Sequence, residues 1–244
     1  MSTARLFEKY YYGDQSFVDG TTQFHELCAE HIARGSHILE IGAGPTNETS
    51  DYLASIGPVH GADVSEEVLK NSALTSARVF AGKAMPFATS SLDACVSNFV
   101  IEHVPDPGIH FREVARVLKP KGVYVFRTPN IWHYVAMAAN MLPHSVHLLI
   151  ANRLRGLGPE AHDPYPTVYR ANTRPRLTML CHDAGMEVRK MVMIEKEPSY
   201  GRAHELVFFP MMLYERAVNS TSALEFCRAN ILGVFQKRAS HVPR

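Results

Sequence analysis

A short apolar run that ends in a glycine turn constrains the fold of this chain more than any other feature. Residues 37–41 read HILEI, and Gly42-Ala43-Gly44 follows them directly. A continuous apolar run of this length is typical of a strand that is buried on both faces of a parallel sheet. Glycines at this point let the chain turn sharply and let a ligand approach the backbone. A tight turn without a ligand uses the same residues, so the motif by itself leaves a binding site open.

Strands and helices alternate along the first half of the chain. The predicted strands are residues 37–41, 59–63, 78–81, 92–98 and 123–127, and the predicted helices are residues 21–34, 47–56, a segment capped by Ser65, and 108–118. A stop at Lys119-Pro120-Lys121-Gly122 separates the last of these helices from the fifth strand. This alternation predicts an α/β fold, with a Rossmann-like, doubly wound, mostly parallel sheet and right-handed crossovers.

The pattern changes after Pro129. Residues 131–154 are apolar and helical in pattern, and a loop rich in proline and aromatic residues follows at 156–169. Beyond it the sequence predicts helices at 173–184 and 204–218 and strands at 186–194 and 231–236. With no repeat or flexible linker, residues 1–244 are expected to form a single domain. Its predicted parts are a cofactor-binding core (36–130), a helical and loop insertion that shapes the substrate pocket (131–180), and a C-terminal part of strands and helix (181–244).

Composition and charge exclude several classes of protein. The net charge of +1 and the lack of an appended basic domain argue against a nucleic-acid partner. The four cysteines form no CxxC pair or zinc-type cluster, so neither a disulfide nor a metal site is expected. The N-terminus has no apolar signal region, and no apolar run reaches the roughly 18 residues of a membrane span. The expected location is the cytoplasm, as a monomer or homodimer.

Asp63 ends the second predicted strand, 23 residues after Glu40. An acidic residue about 20 positions beyond such a glycine turn hydrogen-bonds ribose hydroxyls in nucleotide-binding folds. A carboxylate suits a vicinal diol because it accepts two hydrogen bonds at once. The alternative is a negative charge that stabilises the N-terminus of the next helix. The spacing favours the ribose interpretation.

Four blocks of the sequence resemble the class I S-adenosylmethionine (SAM)-dependent methyltransferases, and in particular the methyltransferase-11 type. They are HILEIGAGP (37–45), GADVSEEVL (61–69), MPFATSSLDACVSNFVIEHVPDP (85–107) and REVARVLKPKGVYVFRTPN (112–130). Together they cover roughly residues 36–130. Pro45-Thr46-Asn47 follows Gly44, so the third glycine of a dinucleotide fingerprint is absent. The departure disfavours a nicotinamide-dependent oxidoreductase.

The resemblance implies a seven-stranded sheet with the last strand antiparallel, SAM as cofactor and S-adenosylhomocysteine as product. It implies methyl transfer to an O, N or C atom of a small molecule by in-line displacement. The methionine part of the cofactor would lie near the glycine turn, the ribose on Asp63, and the adenine beside Val64. The cofactor-binding residues that it implies are Glu40, Gly42, Gly44, Asp63, Val64, Ala84, Met85, Asn98 and Phe99.

Lys83 departs from the family pattern. Members often carry an acidic residue at this position, where it can bond the adenine amino group, but lysine accepts no hydrogen bond. Adenine recognition is therefore expected to use backbone groups or another side chain. This departure also leaves open a second hypothesis, a catalytically silent module that binds SAM or a partner.

Histidines near strand ends are the candidate general bases. His103 follows the fourth strand and His133 follows the fifth, where ligand crevices form in parallel sheets. The alternative for His103 is that it orders its loop or caps a helix. Arginines around the insertion favour an anionic acceptor, although most exposed arginines are simply solvated. The candidate substrate-binding residues are Tyr12, His162, Tyr165, Tyr169 and Arg170.

Two aromatic or apolar stretches each allow two interpretations. Tyr10-Tyr11-Tyr12 could close over the cofactor as a lid or pack on the sheet. Residues 206–214, LVFFPMMLY, read by default as a core helix. The alternative is an interfacial patch that reaches a lipid-like or quinone-like acceptor, because Arg202 and Arg216 flank the stretch.

Overall fold

In a computed structural model of the chain, the described residues are 2–80, 84–141, 165–202 and 204–239. They form a seven-stranded sheet in the order β3-β2-β1-β4-β5-β7-β6. The strands are β1 (Ile38–Ile41), β2 (Val59–Asp63), β3 (Ser76–Val79), β4 (Leu92–Asn98), β5 (Leu118–Pro129), β6 (Met186–Ile194) and β7 (Asn230–Lys237). The β1–β2, β1–β4, β2–β3 and β4–β5 pairs are parallel, and β7 is antiparallel. The predicted fold class is confirmed.

The α-helices of the described residues are α1 (Thr3–Phe7), α2 (Gly20–His31), α3 (Glu48–Ile56), α4 (Pro107–Val117), α5 (Tyr134–Met141), α6 (Arg174–Asp183) and α7 (Glu205–Asn219). A π-helical turn, Glu8–Tyr12, continues α1, and 3-10 turns lie at Glu66–Lys70, Ile101–His103, Ser199–Arg202 and Ser222–Cys227. Side-chain caps begin several of these helices. Asn47 accepts hydrogen bonds from the N–H groups of Thr49 and Ser50, and Asp106 accepts one from Ile109. The helix expected after Ser65 is a short 3-10 turn.

β5 is longer than its predicted span. The predicted stop at residues 119–122 lies inside the strand, where Lys121 has a φ of 67°. The β4–β5 register shifts between Leu92 and Ala94. A bulge of this kind absorbs extra residues and bends the strand without ending it, so the turn-like composition marks an irregularity and not a boundary.

Contacts divide the chain into two compact units. The sheet unit comprises Thr21–Thr128, Thr167–Val192 and Ile231–Arg244, and the helical unit comprises Met1–Gly20, Pro129–Pro166 and Met193–Asn230. The division into a core, an insertion and a C-terminal part stays a prediction.

The core of the sheet unit surrounds β1, β4 and β5. All four residues of β1 are buried, as expected for a strand covered on both faces. Phe111, Tyr124, Phe126 and Phe235 pack with tilted or edge-to-face rings. Gly233 on β7 lies against the Phe126 ring, and a Cβ at this position would overlap the ring. The glycine therefore makes room for an aromatic side chain.

The helical unit has its own apolar cluster. Leu6, Phe7, Tyr11 and Phe208 are buried together, so α1 packs on α7. The Tyr11 hydroxyl donates a hydrogen bond to Oε2 of Glu215 at 3.0 Å, and burial raises its pKa. Tyr11 thus contacts α7 and not a strand within this unit. In the described part of the chain, no helix is both long and apolar enough to cross a membrane.

We expect Gly233→Ala to lower the free energy of unfolding by about 1–3 kcal/mol, because the new methyl group overpacks a filled core. Urea denaturation measures the loss. In a Phe126→Leu background the smaller side chain leaves space, so the same substitution should cost much less. Equal losses in both backgrounds would contradict this account of Gly233.

Candidate functional site at the carboxyl edge of the sheet

The turn between β1 and α3 depends on two glycines with positive φ. Gly42 has a φ of 72°, and a Cβ there would overlap the side chain of Val100. Gly44 has a φ of 52°, and a Cβ there would meet no atom within 4 Å. Gly42 therefore serves packing, whereas Gly44 leaves its backbone facing open space. That opening is what a ligand needs in order to approach the chain.

Asn71 holds this turn from behind. Its buried Nδ2 lies 3.4 Å, 3.2 Å and 3.2 Å from the carbonyl oxygens of Ala43, Gly44 and Pro45. It also donates to Oγ of Ser50 at 2.9 Å. The sequence analysis did not single out Asn71, because an asparagine after a short helical turn has no distinctive pattern. The contact depends on a chain reversal of 26 to 28 residues.

The Asp63 carboxylate lies beside the same turn. Oδ2 accepts a hydrogen bond from the Gly44 N–H at 2.9 Å, and Oδ1 accepts one from the Ser65 N–H at 2.8 Å. Each oxygen of a carboxylate can accept about two hydrogen bonds, so both keep acceptor capacity. The end of β2 and the turn after β1, which the sequence paired by spacing, therefore meet at one edge of the sheet.

Glu40 is buried in β1 below the turn. Only 3% of its surface is exposed, and Oε2 accepts a hydrogen bond from the Ser50 hydroxyl at 2.7 Å. Burial raises the pKa of this carboxyl to about 7, and the Ser50 hydrogen bond opposes that shift. Glu40 can therefore become charged near neutral pH if a cation binds close to it.

The end of β4 carries a buried acceptor. Asn98 donates from Nδ2 to Oγ1 of Thr49 at 3.1 Å, while its buried Oδ1 accepts no hydrogen bond from the described residues. Phe99 follows with a φ of 57°, and the Arg127 guanidinium lies 4.4 Å from the centre of its ring. A buried acceptor without a donor is costly, so it indicates a place for a donor group from outside the chain.

The remaining predicted cofactor residues differ in exposure. Val64 is 53% exposed and Ala84 is exposed, whereas Met85 is buried and its N–H donates to Oε2 of Glu113 at 2.7 Å. The backbone N–H of Met85 is thus already used. Lys83 lies outside the described residues.

Glu102, which the sequence analysis missed, anchors the loop after β4. Its buried Oε2 accepts a hydrogen bond from the Thr128 hydroxyl at 3.0 Å, and Thr128 in turn accepts one from Nδ2 of Asn172 at 2.7 Å. The carbonyl oxygen of Glu102 accepts from the N–H groups of Val168 and Tyr169. Burial raises the pKa of this carboxyl to about 7. A lone glutamate in a loop reads as exposed, so no sequence signal marked it.

His103 is half-buried beside Glu102, with Nε2 3.9 Å from Oε1 of that residue. Tyr169 and Arg170 belong to the same neighbourhood. Tyr169 has a φ of 47°, and Nη1 of Arg170 donates to the carbonyl oxygen of Pro105 at 2.7 Å. The structure therefore brings one candidate base and two candidate substrate residues to the loop after β4.

The other candidates lie in the helical unit. His133 is buried, its ring is tilted against that of Tyr134 at 4.2 Å between ring centres, and its Nε2 lies 3.5 Å from Oε2 of Glu195. Burial lowers the pKa of His133 to about 4 and raises that of Glu195 to about 8. The Tyr12 hydroxyl accepts a hydrogen bond from Arg202 at 2.7 Å, and Tyr165 is exposed. His162 lies outside the described residues.

Comparison with known proteins identifies the central part of the chain. Residues 39–126 match the family model of the methyltransferase domain, methyltransferase-11 type. A demethylmenaquinone methyltransferase of Staphylococcus epidermidis is 32% identical over 111 residues, which are 41% of this chain and 46% of that protein. An uncharacterized methyltransferase of Mycobacterium sp. strain KMS is 47% identical over 116 residues, 44% of each chain. The chain thus spans about half the length of the curated relatives it matches.

Solved structures share the fold over nearly the whole chain. A SAM-dependent methyltransferase from Mesorhizobium loti superposes with a TM-score of 0.59 at 14% identity, covering 90% of this chain and 98% of that one. At this identity the likeness shows the fold alone.

The buried carboxyl of Glu102 generates a prediction about stability and pH. Its folded pKa of about 7 lies above the ordinary value of 4.5, so the folded state binds the proton more tightly. Its contribution is therefore full below pH 4.5 and is lost as the pH rises through 7. We expect Glu102→Gln to reduce the loss of unfolding free energy between pH 5 and 8.5 by up to ~3 kcal/mol. Urea denaturation at both pH values tests this, and an unchanged loss would contradict it.

Proposed function

We propose that this chain, whose residues 39–126 match the family model of a methyltransferase domain, transfers the methyl group of SAM to an O, N or C atom of a small-molecule acceptor. The observation that carries the proposal is the meeting of the Gly44 turn and the Asp63 carboxylate at one edge of the sheet. Ligands of open α/β sheets bind at the carboxyl ends of the strands. Both groups lie there, and both keep capacity to bind a ligand.

The residues at this edge fit SAM by their chemistry. The Asp63 carboxylate has free acceptor sites for the two ribose hydroxyls. The Asn98 Oδ1 lacks a donor among the described residues, and the methionine ammonium is a donor. Glu40 supplies a carboxyl that a nearby cation converts to its charged form. Exposed Val64 offers an apolar surface for adenine. Gly42, Ala84, Met85 and Phe99 are the further contacts that we propose for SAM.

Bound SAM supplies a methyl group on a sulfonium, so the protein mainly has to align the acceptor. An acceptor hydroxyl or ammonium must also lose a proton. We assign that role to His103, which is half-buried at the loop after β4 and lies near Glu102. His133 supports the role less well, because burial lowers its pKa to about 4 and leaves it a weak base. Tyr169 and Arg170, which hydrogen-bond to the loop after β4, are the proposed acceptor contacts.

The acceptor that we propose is a quinone-like lipid. The support is the similarity to a protein named demethylmenaquinone methyltransferase, which extends over 41% of this chain. In its reduced, quinol form such a molecule has a phenol-type hydroxyl and an electron-rich ring carbon. Either one can displace the methyl group from the sulfonium, with release of S-adenosylhomocysteine and loss of a proton.

Asp63→Asn should weaken the binding of SAM and of S-adenosylhomocysteine by about 10- to 100-fold, because one charged acceptor of the ribose is lost. Calorimetric titration measures both affinities, with NADH as a third ligand. Glu66→Gln, an exposed carboxylate on the next 3-10 turn, is the matched control and should bind as the wild type does. A folded wild-type protein that binds neither sulfur compound would refute the proposal, and binding without turnover of any acceptor would favour the silent module.

Glu40 predicts how cofactor affinity depends on pH. Because its pKa is about 7 in the free protein, a bound cation must drive its deprotonation at lower pH. SAM affinity should therefore rise up to about tenfold between pH 5.5 and 7, with a matching release of protons. Glu40→Gln should abolish both effects. Titrations in buffers of different ionisation enthalpy measure them, and a pH-independent affinity in the wild type would rule out this role.

A further inference from the structure

Apolar side chains form a continuous exposed stripe on α7 from Leu206 to Ala217. Leu206, Phe209 and Leu213 are 76%, 40% and 64% exposed, and Pro210 and Ala217 are exposed as well. These positions recur at the i, i+3, i+4, i+7 and i+11 spacing that places side chains on one side of a helix. A helix on the surface of a globular protein normally carries polar residues on this side. We call these five residues the α7 stripe.

The orientation of the stripe is set by α1. Phe208 of α7 is fully buried, and its ring lies 5.1 Å from that of Phe7. On the same buried side, Glu215 accepts hydrogen bonds from the Tyr11 hydroxyl and from Nδ2 of Asn219. Rotating α7 to hide the stripe would expose Phe208 and break the hydrogen bond from Tyr11 to Glu215. The apolar exposure is therefore a property of the packed helical unit.

The rim of the stripe is basic. Arg216 is exposed on α7 itself, and Arg202 is exposed on the 3-10 turn that precedes it. Their guanidinium groups lie 5.5 Å and 5.0 Å from the ring centres of Tyr11 and Phe7. Arg5 and Lys9 are exposed on residues 3–12, which pack against α7. The acidic residues of these two segments are exposed Glu8, half-buried Glu205 and buried Glu215, whose Oε2 lies 3.3 Å from Nε of Arg216. Cations thus outnumber anions around an apolar surface.

We propose that the α7 stripe docks on the surface of an anionic lipid bilayer, with the helix lying in the plane of the interface. An apolar helix face bordered by arginine and lysine is what this binding mode requires. A helix of 15 residues spans roughly 22 Å, which is short of the bilayer core. The inference rests on the proposed function, because a quinone-like lipid acceptor is held in such a bilayer.

Charge distinguishes this occupant from a second copy of the chain. In a symmetric dimer through the α7 stripe, the same patch meets itself across the two-fold axis. Each basic rim would then face the rim of its partner, and like charges at an interface oppose association. An anionic surface pairs with the rim instead.

Co-sedimentation with vesicles tests the proposal on the full chain. We expect the wild type to bind vesicles that contain phosphatidylglycerol, to bind pure phosphatidylcholine much more weakly, and to lose affinity in 0.5 M salt. The double variant Leu206→Gln/Leu213→Gln should bind the anionic vesicles at least about tenfold more weakly than the wild type does. Met179→Gln, which replaces a 43% exposed apolar residue on α6, is the matched control and should bind as the wild type does. Circular dichroism and thermal melting verify that both variants fold.

Several results would overturn the docking proposal. Equal binding to neutral and anionic vesicles would show that the basic rim does not contribute to binding. Undiminished binding by the double variant would show that the α7 stripe does not contribute. A concentration-dependent dimer that the double variant loses would identify a second copy as the occupant. SAM titration of the double variant should match that of the wild type. Vesicle binding with no SAM binding would therefore sink the proposed function while leaving the docking surface intact.

Discussion

The hydrogen bonds that Asp63 accepts from the Gly44 and Ser65 backbone join the ends of β1 and β2 at one edge of the sheet. Both donors are main-chain groups, so the carboxylate is held independently of neighbouring rotamers, and Asn71 pins the same turn from its buried side. An oxygen that accepts one backbone hydrogen bond still has a lone pair for a ligand. The structural role of Asp63 is therefore compatible with the ribose-binding role that we propose for it. The Asp63 side chain stabilises the turn after β1 and still has acceptor capacity for a ligand.

Two buried carboxyls of the sheet unit accept hydrogen bonds from neutral hydroxyl donors. Glu40 accepts from the Ser50 hydroxyl, and Glu102 accepts from the hydroxyl of Thr128. A neutral donor offsets less of the desolvation of a carboxylate than a cation does, so burial dominates and raises both pKa values to about 7. Small changes in pH or in nearby charge around pH 7 therefore change the protonation of these two carboxyls. A cationic ligand at this edge would favour the ionised form of Glu40, whereas Glu102 holds the loop after β4 through Thr128.

Local patterns predicted the sheet and indicated that Asp63 meets the glycine turn, because each depends on short-range chemistry. Three apolar residues and a glycine turn are sufficient to specify β1, and the 23-residue spacing from Glu40 to Asp63 reflects one strand–helix–strand unit. Glu102 and Asn71 were missed because their roles arise from contacts across 26 to 28 residues of chain, which leave no periodic trace. The stop predicted at Lys119–Gly122 was wrong, because these residues lie inside β5. These turn-forming residues serve a bulge within β5, and composition does not distinguish a bulge from a strand boundary.

The sequence of α7 does not predict which side of the helix is buried. Residues 206–214 are almost wholly apolar, so their sequence favoured a core helix and said nothing about which side is covered. The buried side is determined by residues far away in the sequence. Tyr11 donates a hydrogen bond to Glu215, 204 residues later, and the Phe7 ring packs on Phe208. Once these contacts form, the opposite side must face outward, whatever its polarity. An exposed apolar stripe is thus the consequence of satisfying a buried carboxylate. A folded unit that tolerates this cost in water is better matched to an interface that removes it.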